Sequence, residues 1–425
     1  MKPLRSSKTS SMIPMILLLG CAMAPAEELS PASAVRLRAK GPAGVQELLD
    51  IAASDPGAVR SPAFNATLDA VCAQHDCSAS HLYWYTDLAA ARAEAERTGK
   101  PILSLRLLGR LDEELSCANS RFFRAVLYPD PQIARLLRDR FVLHWETVRP
   151  VPKVTIDFGD GRRLVGTVTG NSIHYVLDSH GRLVDGLPGL NGPGAFVRFL
   201  ERTSEEAGSL AVLDDADYLQ ELKAYHKARR AAVQEALARD FRESGAEDPG
   251  RAAQAVVSSG RWIAPRERSA WRASERALSK SIAELPILLA VSPDAGDTRP
   301  PEITPSGVAT LHRNDARLSD ESRRLLLAKA GTWMKIDDPR SAVSSFEGVI
   351  AEDTVRNEYL LHSTIHDWLA ASRVVPDLAA FNENVYSQIF LTPSSDPWLG
   401  LAPEKIYAVL TPVPEGLALS EAAAP

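Results

Sequence analysis

Cysteine is scarce in this chain of 425 residues: there are four, and none stands in a C-x-x-C or C-x-x-C-H spacing. A dithiol redox pair and a covalently attached haem therefore lack their signatures. Basic charge is not in excess. Lys and Arg number 48 against 54 Asp and Glu, a net charge of −6, so the electrostatic footprint of a nucleic-acid binder is missing. No G-x-S-x-G, G-x-x-x-x-G-K-[ST] or H-E-x-x-H occurs, which leaves elbow-type hydrolases, P-loop enzymes and zincins without support. Beyond the first residues, no apolar run approaches the roughly 20 residues of a membrane-spanning helix.

What is present is apolar residue in quantity, 45% of the chain, with abundant Ala and Leu that favour helices. That length and composition suffice for two or three domains. The N-terminus reads as a secretory signal. Lys2, Arg5 and Lys8 precede the short apolar stretch 12–24, and Ala24-Pro25-Ala26 offers a cleavage site. The segment LLGC at 18–21 also resembles the lipobox of bacterial lipoproteins, in which Cys21 would carry lipid. The expected location is outside the cytoplasm: the periplasm, or the outer membrane through that anchor. In an oxidising compartment Cys72 and Cys77 can pair, or they can be two unrelated residues at a helix end. If they pair, Cys117 is the odd thiol.

Periodicity orders the rest. Helices are expected at 44–53 and 64–74. A further helix spans 87–100, begun by Asp87 and ended by Gly99, and a strand follows at 101–109. Helices at 120–128 and 132–140 precede a strand at 141–148. Two hairpins follow, turning at Gly159-Asp160-Gly161 and at 178–181, and a helix at 192–206 closes the series. This order is that of an α/β layered domain. Helical patterns dominate afterwards, at 214–241, 319–334, 337–353, 354–373 and 377–390, with a Pro-rich linker at 292–307.

Residues 84–200 resemble the thioredoxin superfamily, in particular its exported thioredoxin-like domains. The carriers are the Ala-rich helix, Gly99-Lys100-Pro101 before the first strand, Cys117, Asp130-Pro131, Phe141-Val142 and the hairpin HYVLDSHGRLVDGLPGL. The resemblance places Cys117 as the nucleophilic cysteine and Ser120 where the resolving cysteine would stand, a C-x-x-S motif. It implies a cysteine at a helix N-terminus, where free N–H groups and the helix dipole favour the thiolate, with Ser120 donating to it. Such a monothiol needs an external thiol reductant to turn over. The chain departs from the family in an insertion carrying Asp112, Glu113 and Glu114, and in Ser116 where Trp is common. It also has Ser172 at about the position of the family's cis-proline. The insertion's carboxylates oppose the thiolate; Arg121 and Arg124 favour it.

His362 and His366 lie four apart, with Glu358 one turn earlier on the same expected helix face. The spacing suits a transition metal and equally an ordinary half-polar face; no metal and no cofactor is expected. His144 and His174 alternate with apolar neighbours and read as hydrogen-bonded strand histidines. The expectation is thus an α/β thioredoxin-like domain plus a mainly α-helical C-terminal region. The signal is 1–26 (or a lipoprotein signal, 1–20), followed by a helical extension at 27–82 and the thioredoxin-like domain at 83–206. A helical region at 207–291, the linker at 292–307 and a helical region at 308–425 complete the chain. The expected function is that of a module binding envelope proteins or peptides. The alternatives are a thiol–disulfide oxidoreductase using Cys117 and a helical scaffold with an inactive thioredoxin-like domain. Neither nucleic acid nor, beyond the lipid, membrane is an expected partner.

Overall fold

Asp87 and Gly99 delimit their helix as their chemistry predicts. The Asp87 carboxylate accepts the Ala90 N–H at 2.8 Å, and Gly99 takes φ 70°, a left-handed stop that costs glycine little. This is from a computed structural model, which describes residues 31–54, 61–245, 250, 306–331, 335–397 and 399. The expected signal with Cys21, the stretch 251–305 with most of the linker, Trp398 and the tail from 400 lie outside the described residues.

Three helices come first: α1 (Pro31–Arg38), α2 (Pro42–Ser54) and α3 (Pro62–Cys72). They pack on one another around Leu37, Leu48, Phe64, Leu68 and Val71, forming a small core of their own. The Cys72–Cys77 disulfide closes its far end, with Cα atoms 6.3 Å apart. Of the two sequence readings of these cysteines, the structure has the paired one.

The α/β part follows in the expected order: α4 (Leu88–Thr98), β1 (Ile102–Leu108), α5 (Ala118–Phe122), α6 (Pro131–Arg140) and β2 (Val142–Arg149), then β3 (Lys153–Asp157), β4 (Arg163–Thr167), β5 (Ser172–Leu177), β6 (Leu183–Pro188) and α7 (Pro193–Ala211). The main sheet runs β2-β1-β5-β6; β1 and β2 are parallel, and β5 is antiparallel to both β1 and β6. Strands β1, β5 and β6 are buried along their whole length, as expected of strands covered on both faces. Hairpin β3–β4 stands apart as its own two-stranded sheet and leaves Ile156, Phe158 and Leu164 exposed. Its turn is closed by a hydrogen bond from Phe158 N–H to Arg162 O, with Gly159 and Gly161 at positive φ.

The remaining helices are α8 (Asp215–Glu243), α9 (Ser306–Leu311), α10 (Asp320–Gly331), α11 (Pro339–Arg356), α12 (His362–Ala370) and α13 (Leu378–Asn384). Two separate helices were expected over 337–373. The chain instead runs without a break from 339 to 370, with one π turn at Asn357–Leu361. The helices share one core with the sheet: Leu360, Ile365, Leu369, Val385, Tyr386 and Phe390 belong to the same buried cluster as Leu105, Tyr175 and Phe199. Each such large apolar side chain contributes roughly 1.5–3 kcal/mol on burial, so this helical cover is integral to the fold. Among the described residues, no helix is long and apolar enough to cross a membrane.

Candidate functional site

The loop after β1 delivers Cys117 to the N-terminus of α5, where it is the capping residue. Its Sγ accepts the Ser120 backbone N–H at 3.4 Å, the place usually filled by a Ser or Asp oxygen. The expected helix-terminal position is therefore observed. The expected role of the Ser120 hydroxyl is not: it donates to Ser116 Oγ at 2.5 Å, and Arg124 donates to that same Ser116 oxygen at 3.0 Å. A hydroxyl oxygen is a stronger acceptor than a thiol sulfur.

The charges that were set against each other in sequence are largely engaged elsewhere. Asp112 and Glu113 pair with Arg110. Glu114 meets His75 at 2.5 Å and Lys329 at 3.4 Å. Arg124, fully buried, binds Asp76 at 3.1 Å, and Arg121 reaches Thr167 Oγ1 at 3.3 Å.

Cys117 and Ser120 are both 0% exposed. Gly170, in the loop between β4 and β5, lies directly on the thiol: a Cβ built there would fall 2.0 Å from Cys117 Cβ. The residue facing the cysteine is thus Gly170, whereas Ser172, assigned to that place from sequence, is already in β5 opposite Leu107. The loop is tied down from below by Thr167 Oγ1 donating to Ser116 O at 3.1 Å. From above, Tyr386 donates to Asn171 O at 3.1 Å. The chain after α13 is held in place by Arg149, which donates to the carbonyls of Thr392, Pro393 and Asp396 at 2.7–2.9 Å. On the other side α10 covers the turn after α5, with Ser322 Oγ donating to Val126 O at 2.7 Å. Burial, with Cys117 nearby, holds the hydroxyls of Tyr128 and Tyr386 well above the usual tyrosine range.

His174 and His144 are hydrogen-bonded strand histidines, to Tyr128 and Ser104 at 2.9 Å each. Burial pushes both down to about 3. His362 and His366 do share a face, but it is an interior one. His362 Nε2 lies 2.8 Å from Asp185 Oδ1 on β6, and His366 Nδ1 lies 2.9 Å from His226 Nδ1 on α8. Glu358 is not with them. The π turn at 357–361 rotates it off the i, i+4 line, and it faces Arg198 at 3.6 Å. Asp185 and His226 carry no local signal that sequence reading could have used, since they come from separate elements far apart in the chain. Burial alone would raise Asp185, but the hydrogen bond and charge of its histidine neighbours hold it well below the usual range. Burial pushes His226 and His366 down.

A second histidine cluster has the opposite sign. His312 sits between Asp240 at 2.7 Å and Asp315 at 3.0 Å, and Arg198 binds Asp315 in turn. Burial pulls His312 down, yet the two carboxylate hydrogen bonds and the charges of Asp240 and Glu358 outweigh it and lift it to about 9. A raised histidine stabilises the fold fully below its unfolded value of about 6.5 and loses that contribution as pH rises through about 9. Thermal unfolding should therefore weaken between pH 7 and pH 10 by at most about 3 kcal/mol, and His312→Gln should flatten that part of the profile. An unchanged profile in the variant would mean that other groups carry the slope.

No family model, curated protein or solved structure matches the chain.

Proposed function

We propose that the chain is an exported thioredoxin-like module that acts by binding other envelope proteins or peptides, and that its redox groove is filled by its own loop and C-terminal helices. Support for the thioredoxin-like part comes from the strand order β2-β1-β5-β6 with one parallel and two antiparallel pairs, and from a cysteine capping the helix after the first strand. The observation that carries the functional reading is the complete burial of Cys117 beneath Gly170. A thiol that attacks a substrate disulfide must be reached in line by that disulfide, and a buried thiol is inert. The capping geometry of Cys117 favours a second reading, thiol–disulfide exchange with an external thiol reductant, but that reading requires the cover to open.

Ser120→Cys separates the two. It restores a C-x-x-C pair with little added bulk, and the introduced thiol would lie under the same cover. The full-length variant, shown to be folded by circular dichroism, is expected to be silent in insulin reduction. Catalytic reduction by this variant would overturn the closed-groove reading in favour of an accessible redox site.

A further inference from the structure

Asp185, His226, His362 and His366 come together from β6, α8 and α12, and all four are buried. The separations are 2.8 Å between His362 Nε2 and Asp185 Oδ1, 2.9 Å between the Nδ1 atoms of His226 and His366, and 4.0 Å between His366 Nδ1 and Asp185 Oδ1. Donor atoms of a tetrahedral zinc-type ion, with bonds of about 2.0–2.1 Å, sit roughly 3.3 Å apart. The donor atoms of Asp185, His226 and His366 all lie within 4.8 Å of one another, with edges of 2.9 and 4.0 Å on either side of that value, and His362 joins this group through its bond to Asp185.

Two further features suit a metal. His226 Nε2 lies 2.9 Å from Val184 O, so it can donate there and leave Nδ1 as a lone pair facing the cluster, the outer-shell arrangement that fixes a ligating histidine. Asp185 is supported by the Gly186 N–H at 2.7 Å and the Tyr225 hydroxyl at 3.2 Å, and no guanidinium or ammonium pairs with it among the described residues. His366 meets the cluster through Nδ1, and its other ring nitrogen, Nε2, is buried without a partner. The two other groupings of potential ligands differ. His75, Asp76 and Glu114 are met by Lys329 and Arg124, and His312, Asp315 and Glu358 by Arg198.

We propose that Asp185, His226 and His366 form a buried, structural site for one zinc-class divalent transition-metal ion, with His362 holding Asp185 in place. It would clamp the end strand of the sheet and α8 to the C-terminal helix. Two imidazoles and one carboxylate are a donor set of such ions, whereas calcium and magnesium want six or more oxygens. The positive charges of Arg229 near His226 and of Arg202 near His366 oppose a cation, so the ion must be held by strong coordination to overcome them. All three donors are buried, so the fourth position is closed to a substrate from solvent. The proposal does not depend on the thioredoxin-like reading.

The test uses the full-length protein. After expression with zinc and dialysis, elemental analysis should find about one zinc per chain. Stripped protein titrated with Co²⁺ alone should gain the intense visible absorption of a tetrahedral site, saturating at one equivalent. The thiolate-to-cobalt band that Cys117 or a reduced Cys72–Cys77 pair would produce should be absent. Chelation should lower the unfolding temperature by at least about 4 °C. His226→Gln and His366→Gln, which keep the side chains polar and similar in size, should each lower cobalt affinity at least about 100-fold, while His312→Gln leaves it intact. Folded wild-type protein that takes up neither ion would overturn the proposal, since that measurement involves no variant. So would a tetrahedral cobalt spectrum that persists unchanged in both glutamine variants.

Discussion

Native protein is expected to alkylate at Cys117 at least about a thousandfold more slowly than protein unfolded in urea, at equal pH and reagent concentration. The thiol is fully buried, and the chain that covers it belongs to the shared core. Reagent can reach it only through an opening that parts the Gly170 loop from Cys117 and breaks the bond from Tyr386 to Asn171. Each decade of protection corresponds to about 1.4 kcal/mol of opening free energy. An opening that also loosens the segment held by Arg149 costs about 4 kcal/mol or more, since stabilities of core regions approach the global value. Mass spectrometry of the Cys117 peptide separates its label from any on Cys21, and Cys72 and Cys77 are joined. Tyr386→Ala removes both the hydrogen bond and the bulk over the loop, and should raise the native rate at least about tenfold. A native rate close to the unfolded one would mean that the cover is open in solution, and the oxidoreductase reading would then be preferred.

Replacing Gly170 with alanine should destabilise the protein by about 3 kcal/mol or more, the upper end for overpacking. The added methyl would fall 2.0 Å from Cys117 Cβ and 2.9 Å from its Cα, so the obstacle includes backbone and cannot be relieved by a rotamer change. Moving the loop away is resisted by Thr167 on Ser116 and by Tyr386 on Asn171. Thermal unfolding would report this as a drop of roughly 3–5 °C. Cys117→Ala keeps the offending Cβ and should not rescue the variant. Cys117→Gly removes it, and the double variant should be less destabilised than the two single variants combined. Strict additivity in that cycle would show that the two residues do not touch.

Both results turn on contacts between positions far apart in sequence, and that separation marks what could be read in advance. The helix bounded by Asp87 and Gly99, the turn at Gly159-Asp160-Gly161 and the parallel and antiparallel strands fell where capping, turn chemistry and alternation placed them. The interior hydrogen bonds of His144 and His174 were legible for the same reason: a histidine between buried apolar neighbours on a strand must find a polar partner. Where a local pattern admitted two outcomes, the sequence stopped short. Cys72 and Cys77 could pair or not until the end of α3 and the turn after it set them 6.3 Å apart. Glu358 matched the helical spacing of His362 only for a regular helix, and one π turn sent it to Arg198.

By itself, then, the sequence determined the identity and order of the elements, because periodicity, caps and turns depend on residues within a few positions of one another. The helix N-terminal place of Cys117 was implied by the family resemblance alone, since the local pattern began that helix at residue 120. Only the tertiary structure decided that this thiol is covered, because the cover arrives from Gly170, Tyr386 and the chain held by Arg149. Only the tertiary structure gathered Asp185 and His226 around His362 and His366. Burial and ligand geometry are properties of surfaces that meet after the elements pack, and no spacing along the chain encodes them.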